Sequence, residues 1–224
     1  MKLKRGDQYL VRTRHLKIKL VPVEELNKKL IVCTDEYEKK ELTRIISECE
    51  EDPENMPWYA PWDIVLKEDE SKKIGSFSFN GTDVLKAVSF TSEMDEKYKR
   101  LGYFKEACGA MAEWAFLYDI YFLDTLVDDD DLPTLNFFKS IGFKENGKSE
   151  LSVVMTREKA PGYLSTFLCL GLMIGIAVSM PLSKHLYGAA AGSIIGAGAG
   201  YLMDLSKNKD KSIYRKERKK KLEL

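Results

Sequence analysis

Glu96-Lys97-Tyr98-Lys99-Arg100-Leu101-Gly102-Tyr103-Phe104-Lys105-Glu106-Ala107 is the stretch on which the fold of this chain turns. It follows a segment with strand character, Val84 to Phe90, and opens an amphipathic helix expected over Tyr103 to Phe116. A basic loop with a glycine at a helix N-terminus makes an anion site, because free backbone N–H groups point at the ligand and the helix dipole favours negative charge. Lys99, Arg100 and Lys105 add charge, and a diphosphate is a natural guest.

Outward from this loop the pattern alternates between strand and helix. Leu16 to Val21 places Leu, Ile and Leu between lysines, a strand signal. Asp35 to Glu51 is charged, with Leu42, Ile45, Ile46 and Cys49 at helical spacing. Asp52 to Pro61 reads as a loop, Trp62 to Leu66 and Ile74 to Phe79 as strands, and Asn80-Gly81 as the turn into the Val84 strand. Beyond the helix, Tyr121 to Val127 reads as a strand and Leu132 to Ile141 as a short helix capped by acids. Phe143 to Lys144 and Leu151 to Thr156 read as the last strands. Strands enclosing helices in this order predict a mixed α/β (α+β) domain, not a bundle.

Composition sets bounds. The 224 residues carry 35 Lys+Arg and 35 Asp+Glu. A net charge of zero argues against a globally basic nucleic-acid binder, so no nucleic-acid partner is expected. Residues 161–224 hold ten bases and four acids, so the neutral total hides an acidic body and a basic end. Cys33, Cys49, Cys108 and Cys169 lack CxxC spacing, and His15 and His185 are the sole histidines. A disulfide scaffold and a multi-histidine metal site are not expected. Asp128-Asp129-Asp130-Asp131 lacks the glycine and closing glutamate of a calcium loop and reads as helix capping, so no metal is assigned. The basic start Met1 to Asp7 is followed by no apolar run, so no signal peptide is expected.

The apolar runs lie at the other end. Residues 160–183 carry no charge over 24 positions, and 185–203 none over 19, each near the ~20 residues that cross a bilayer. Pro181 to His185 between them reads as a tight turn. Gly188, Gly192, Gly196 and Gly200 recur every fourth residue, and Gly171, Gly175 and Ser179 repeat the spacing, so small-residue stripes would pack on each other or on another copy. The expected organisation is a domain over 1–158, a glycine-zipper transmembrane hairpin over 160–204 that meets the membrane through 162–203, and a basic polar tail over 205–224. Positive charge after the second run places both the tail and the domain on the cytoplasmic side of a cell membrane. At ~1.5 Å per residue the second run gives about 28 Å, a marginal span.

Over residues 8–157 the chain resembles the GNAT family of N-acetyltransferases, in particular those acting on ribosomal-protein N-termini and small amines. The resemblance rests on Tyr9 to Pro22 as a first strand, Ile74-Gly75 through Asn80-Gly81 as a central hairpin, and Lys99 to Ala107 as the pyrophosphate loop. It continues through Trp114-Ala115-Phe116 and the late segment Asp131-Leu132-Pro133-Thr134 to Phe138 with Ile141-Gly142-Phe143. It implies a mostly antiparallel twisted sheet flanked by helices, with acetyl-CoA in a V-shaped gap between the strands ending near Phe90 and Val127. Ser89, Phe90 and Thr91 would pair with the pantetheine arm. Lys99, Arg100, Leu101, Gly102, Tyr103, Phe104 and Lys105 would hold the pyrophosphate, with Asp131 and Phe138 at the late-segment positions of the cofactor site. The acceptor would be a protein N-terminus or a small amine.

Three positions depart from the family pattern. Phe104 stands where Gly or Ala is usual, and either crowds the phosphates or points into the core. Phe138 stands where many members place a tyrosine acid, and a phenyl ring donates no proton. Asp131 stands where asparagine is common. These leave two readings open: an active acyltransferase, or a degenerate CoA-binding or interaction module on an oligomerising glycine-zipper anchor. Glu93 is the candidate base, or a solvated carboxylate. Trp58 and Tyr59 are candidates to cradle an acceptor, or an ordinary hydrophobic edge.

Overall fold

The computed structural model describes residues 9–99, 101–148, 151–180 and 185–222. The chain divides into two compact units, Met1–Glu158 and Lys159–Leu224.

In the first unit, Leu10–Arg12 (β1) and Leu16–Leu20 (β2) form an antiparallel hairpin where one strand was expected. The Leu/Lys alternation works as its period requires: Leu16, Ile18 and Leu20 are buried, while Lys17 and Lys19 both pair with Glu70. Those two ammonium groups hold the Glu70 carboxyl down at about 2. Helix α1 (Val23–Val32) was not apparent in the sequence; it buries Leu26 alone and ends in β-branched residues. Helix α2 (Glu36–Glu51) starts where expected, with the Asp35 carboxylate accepting from the Glu38 N–H at 2.8 Å. The expected loop after it contains a short 3-10 segment, Pro53–Trp58.

Strands β3 (Trp62–Leu66), β4 (Lys73–Thr82) and β5 (Ala87–Met94) follow as an antiparallel meander. The reversal between β4 and β5 is not at Asn80-Gly81. Gly81, with φ +72°, sits in an irregularity of β4, where the register shifts between Phe79 and Thr82. The chain turns at Asp83–Lys86, closed by Asp83 N–H to Ala87 O at 2.9 Å. Val84, expected to start the strand, is therefore 86% exposed in the turn, and β5 runs four residues past Phe90.

After the short helix α3 (Glu96–Lys99) come α4 (Tyr103–Leu117), β6 (Phe122–Asp128), α5 (Leu132–Ser140), β7 (Lys144–Lys148) and β8 (Ser152–Glu158). The eight strands form one sheet in the order β1-β2-β3-β4-β5-β6-β8-β7. Among the described strands only β5 and β6 are parallel neighbours, and α3 and α4 carry the crossover that a parallel pair needs. The core is aromatic: Trp58, Trp62, Phe79 and Trp114 meet with ring centroids about 5 Å apart. The Trp62 indole donates to Pro57 O at 3.0 Å.

The second unit is a pair of helices, α6 (Tyr163–Ser179) and α7 (His185–Leu222). The expected turn at 181–184 lies outside the described residues. The glycines bring the two backbones together. A Cβ on Gly192 would lie 2.1 Å from the Gly171 carbonyl oxygen, and one on Gly175 would lie 2.0 Å from that of Gly188. Gly196 and Gly200 face Phe167 and Leu164 in the same way. Of the two packings expected for the stripes, on each other or on another copy, the helices show the first, with the α7 stripe against the chain's own α6. The Asp204 carboxylate accepts from the Tyr163 and Leu164 N–H groups at 3.1 and 2.9 Å and so caps α6 from the neighbouring helix. Lys211 Nζ donates to Lys159 O at 2.8 Å. Residues 205–222, expected as a tail, continue α7 without a break. Of the helices, α7 is long and apolar enough to cross a membrane, and α6 is a shorter apolar helix.

Replacing Gly192 by leucine must push α6 and α7 apart by more than an ångström, since the obstructing atom is backbone. Amide hydrogen exchange on the detergent-solubilised chain should show at least tenfold faster exchange in α6 for Gly192→Leu, with the first unit unchanged. Gly198, whose added Cβ meets nothing within 4 Å, should accept alanine without this effect.

Candidate functional site

β5 and β6 are paired over three residues only: Ala87 with Phe122, Val88 with Leu123, and Ser89 with Asp124. Beyond Ser89 the two strands part, while each keeps its outer neighbour. β5 stays on β4 through Met94, and β6 stays on β8 through Asp128. The inner edges therefore present backbone donors and acceptors with no strand between them.

The opening is a cleft of about 770 Å³. Its walls are Thr91, Ser92, Glu93 and Met94 of β5 and Thr125, Leu126 and Val127 of β6. Lys99, Phe104 of α4, and Pro133, Thr134, Phe137 and Phe138 of α5 complete it. Of the expected arm-binding residues, Thr91 lines the cleft; Ser89 lies in the paired part, and Phe90 is buried beneath it, stacked on Phe77 at 4.7 Å. Met94, Thr125 and Phe137 were not anticipated, although continuing the alternation Phe90, Ser92, Met94 one turn of pleat further would have reached the first of them.

The helix at the mouth begins at Gly102, whose φ of +84° is the left-handed conformation that favours glycine. A Cβ there would meet nothing within 4 Å, so the glycine is required for its backbone angle rather than for space. Glu106 N–H to Gly102 O, at 3.0 Å, is the first helical bond. The N–H groups of Tyr103, Phe104 and Lys105 precede it and have no acceptor within the helix. Leu101 and Lys105 are exposed, and Arg100 lies outside the described residues. Lys99 Nζ pairs with Glu96 at 2.5 Å while lining the cleft.

Phe104 packs among aromatic rings of α5. Its ring stacks on Phe137 at 4.8 Å and edges Phe138 at 6.5 Å, and it forms cleft wall at the same time. Phe138 is 4% exposed and wedged edge-on against Phe90 and Phe143. Asp131 is the N-cap of α5: its carboxylate accepts from Thr134 N–H at 3.1 Å, and the Thr134 hydrogen bonds hold it below the usual carboxylate value. It is a cap and not a cleft residue. Among the described residues, no group of three or more His, Cys, Asp or Glu is placed to hold a metal ion.

Trp58, a candidate for the acceptor or for an ordinary hydrophobic edge, is 6% exposed inside the aromatic cluster, and Tyr59 beside it is half-buried. Glu93 lies within β5, not after it. Four residues beyond Ser89, it is about 13 Å along the strand toward the helix mouth.

No protein-family model matches the chain, and no curated protein matches it. Solved structures do. A ribosomal-protein-S5-alanine acetyltransferase from Vibrio fischeri superposes with a TM-score of 0.51 at 13% identity, over 66% of this chain and 96% of its own. A ribosomal L7/L12 alpha-N-protein acetyltransferase in complex with coenzyme A gives 0.52 at 14%, over 66% and 97%. An acetyltransferase from Agrobacterium tumefaciens gives 0.51 at 14%, over 67% and 94%. The chain therefore has the GNAT acetyltransferase fold, a mixed α/β sheet flanked by helices, with a long apolar C-terminal helix in addition.

Cys108 of α4 reports on this packing. Burial pushes its thiol up to about 12, against a weak lowering by the Ser92 hydroxyl 4.0 Å away. The buried thiol therefore stays protonated at pH 8. Alkylation followed by peptide mapping should leave Cys108 unmodified in the folded chain and modify it fully in denaturant.

Proposed function

We propose that the chain is an acetyl-CoA-dependent N-acetyltransferase held at a membrane by its C-terminal helices. The observation that carries this reading is the junction of two features in one cleft: unpaired strand edges, and a glycine-started helix whose first N–H groups open at the cleft mouth.

The residues present fit the coenzyme. The inner edge from Thr91 to Met94 suits an amide-bearing pantetheine arm, which adds to a strand edge as another strand would. The first-turn amides of α4, with Lys99 and Lys105, suit a diphosphate. Bound acetyl-CoA supplies a thioester open to attack by a neutral amine. The chain contributes position: the arm laid along β5 toward Ser89 sets the reacting end where the strands part, and the Phe90, Phe104 and Phe138 rings keep water from that end. Glu93 lies at the opposite, phosphate end of such an arm, which argues against its expected role as the base. Phe138 offers no proton to a departing thiolate, so that proton comes from water or from the amine.

The same ring favours a second reading, a module that binds CoA without turnover. Acetylation assays with a panel of peptides and small amines separate the two. Steady-state release of free CoA that requires an amine supports the enzyme, and saturable CoA binding with no turnover supports the module. For the enzyme, Phe138→Tyr restores a donor and should raise kcat by about tenfold or more with acetyl-CoA affinity unchanged. Gly102→Pro removes both the +84° conformation and an N–H group, and should weaken CoA binding by more than tenfold.

The membrane part of the proposal rests on α7 and on the large apolar side chains left exposed along both helices, among them Met173, Val178, Leu186, Ile194 and Leu202. The bases that follow Asp204 put that end of α7 on the cytoplasmic side. The acceptors within reach of such a tether are protein N-termini or small amines near the membrane surface.

A further inference from the structure

The first turn of α4 is tied to the N-terminal hairpin by a pair of residues outside the cleft. His15 lies in the turn between β1 and β2. Its backbone N–H donates to Glu106 Oε1 at 2.7 Å, and its ring Nδ1 lies 2.8 Å from Glu106 Oε2. One residue of the hairpin thus engages both oxygens of a carboxylate on the fourth residue of the helix. Burial pushes the Glu106 carboxyl up, but hydrogen bonds from Thr13 and His15 outweigh it and hold the group below the ordinary carboxylate value. Glu106 is therefore an anion throughout the neutral range. The His15 side chain is about half exposed.

This anion sits one turn from the N–H groups assigned to the diphosphate, where the positive end of the helix dipole would otherwise act alone. We propose that His15 and Glu106 are positioning residues for the phosphate-binding turn, and that the chain holds CoA more tightly when His15 is protonated. The proposal rests on the reading of the cleft as a CoA site. A neutral His15 aims the turn but leaves the Glu106 charge repelling the diphosphate. An imidazolium keeps the same contacts and cancels that charge. The other groups facing His15 are Tyr103 of α4, edge-on at 6.0 Å, and the cations Arg14 and Lys67 that flank the turn, with Lys67 N–H bonded to His15 O at 2.9 Å. One unit of charge about 10 Å from a diphosphate, near the surface, alters affinity about fivefold.

The test is calorimetric titration of CoA into the full chain in detergent at pH 5.5 to 8.5, for the native protein, His15→Gln and Glu106→Gln. At pH 5.5 the affinity of the native protein relative to His15→Gln should be about fivefold higher than the same ratio at pH 8.5. Titration of the coenzyme's own phosphate is common to both proteins and drops out of the ratio. In Glu106→Gln, where no carboxylate charge is left to cancel, CoA should bind more tightly at pH 8.5 than it does to the native protein. A ratio constant at all pH values, whether one or greater, overturns the proposal and leaves a structural contact only. CoA binding to Glu106→Gln at pH 8.5 that is no tighter than to the native protein also overturns it. Absence of CoA binding to any of the three proteins at any pH removes the CoA reading itself, and this inference with it.

Discussion

Everything proposed for the first unit depends on the point where β5 and β6 stop pairing. Three residue pairs hold the strands together, and beyond Ser89 and Asp124 each is held only from its outer side. An unpaired strand edge inside a sheet is costly unless something fills it or solvent reaches it. Here the parting is braced by rings: Phe138 stands against Phe90 and Phe143, and Phe104 lies on Phe137. The cleft is therefore built into the packing, and its contents are set by the edge it exposes and by the helix start at its mouth.

The second unit obeys a different constraint, the close approach of two backbones. The glycines on the facing stripes leave no room for a Cβ, and the α7 stripe lies against the chain's own α6. Asp204 ends the apolar stretch of α7 and satisfies two N–H groups at the start of α6, so a single carboxylate sets the register of the pair. An acid at the base of an apolar hairpin is well suited to a membrane boundary, where one end of the pair is dry and the other wet.

Much of this was legible in the sequence, and the exceptions share a cause. β2, α2, α4 and α5 carry their own period and caps, so local pattern was enough. Gly102 stood out because it lies in a basic loop at a helix N-terminus, while its left-handed conformation is seen only in the structure. Asn80-Gly81 misled because the same positive φ serves a bulge as well as a turn, and only pairing across the sheet decides between them. That displacement lengthened β5, moved Glu93 away from the apex of the cleft and brought Met94 into it. Trp58 looked like a binding residue from its neighbours and is buried by Trp114 and Phe79, more than twenty positions away along the chain. Asp204, and the bond from His15 to Glu106 across 91 positions, left no local trace.

The central claim is that the parted edge of β5 and the first turn of α4 together hold CoA. Amide hydrogen exchange of the full chain, with and without saturating CoA, tests it most directly. The account predicts slower exchange at Thr91 to Met94 and at Tyr103 to Lys105, with little change in β1 to β3 or in α6. Saturable binding that protects neither segment, or that protects only one of them, would contradict it.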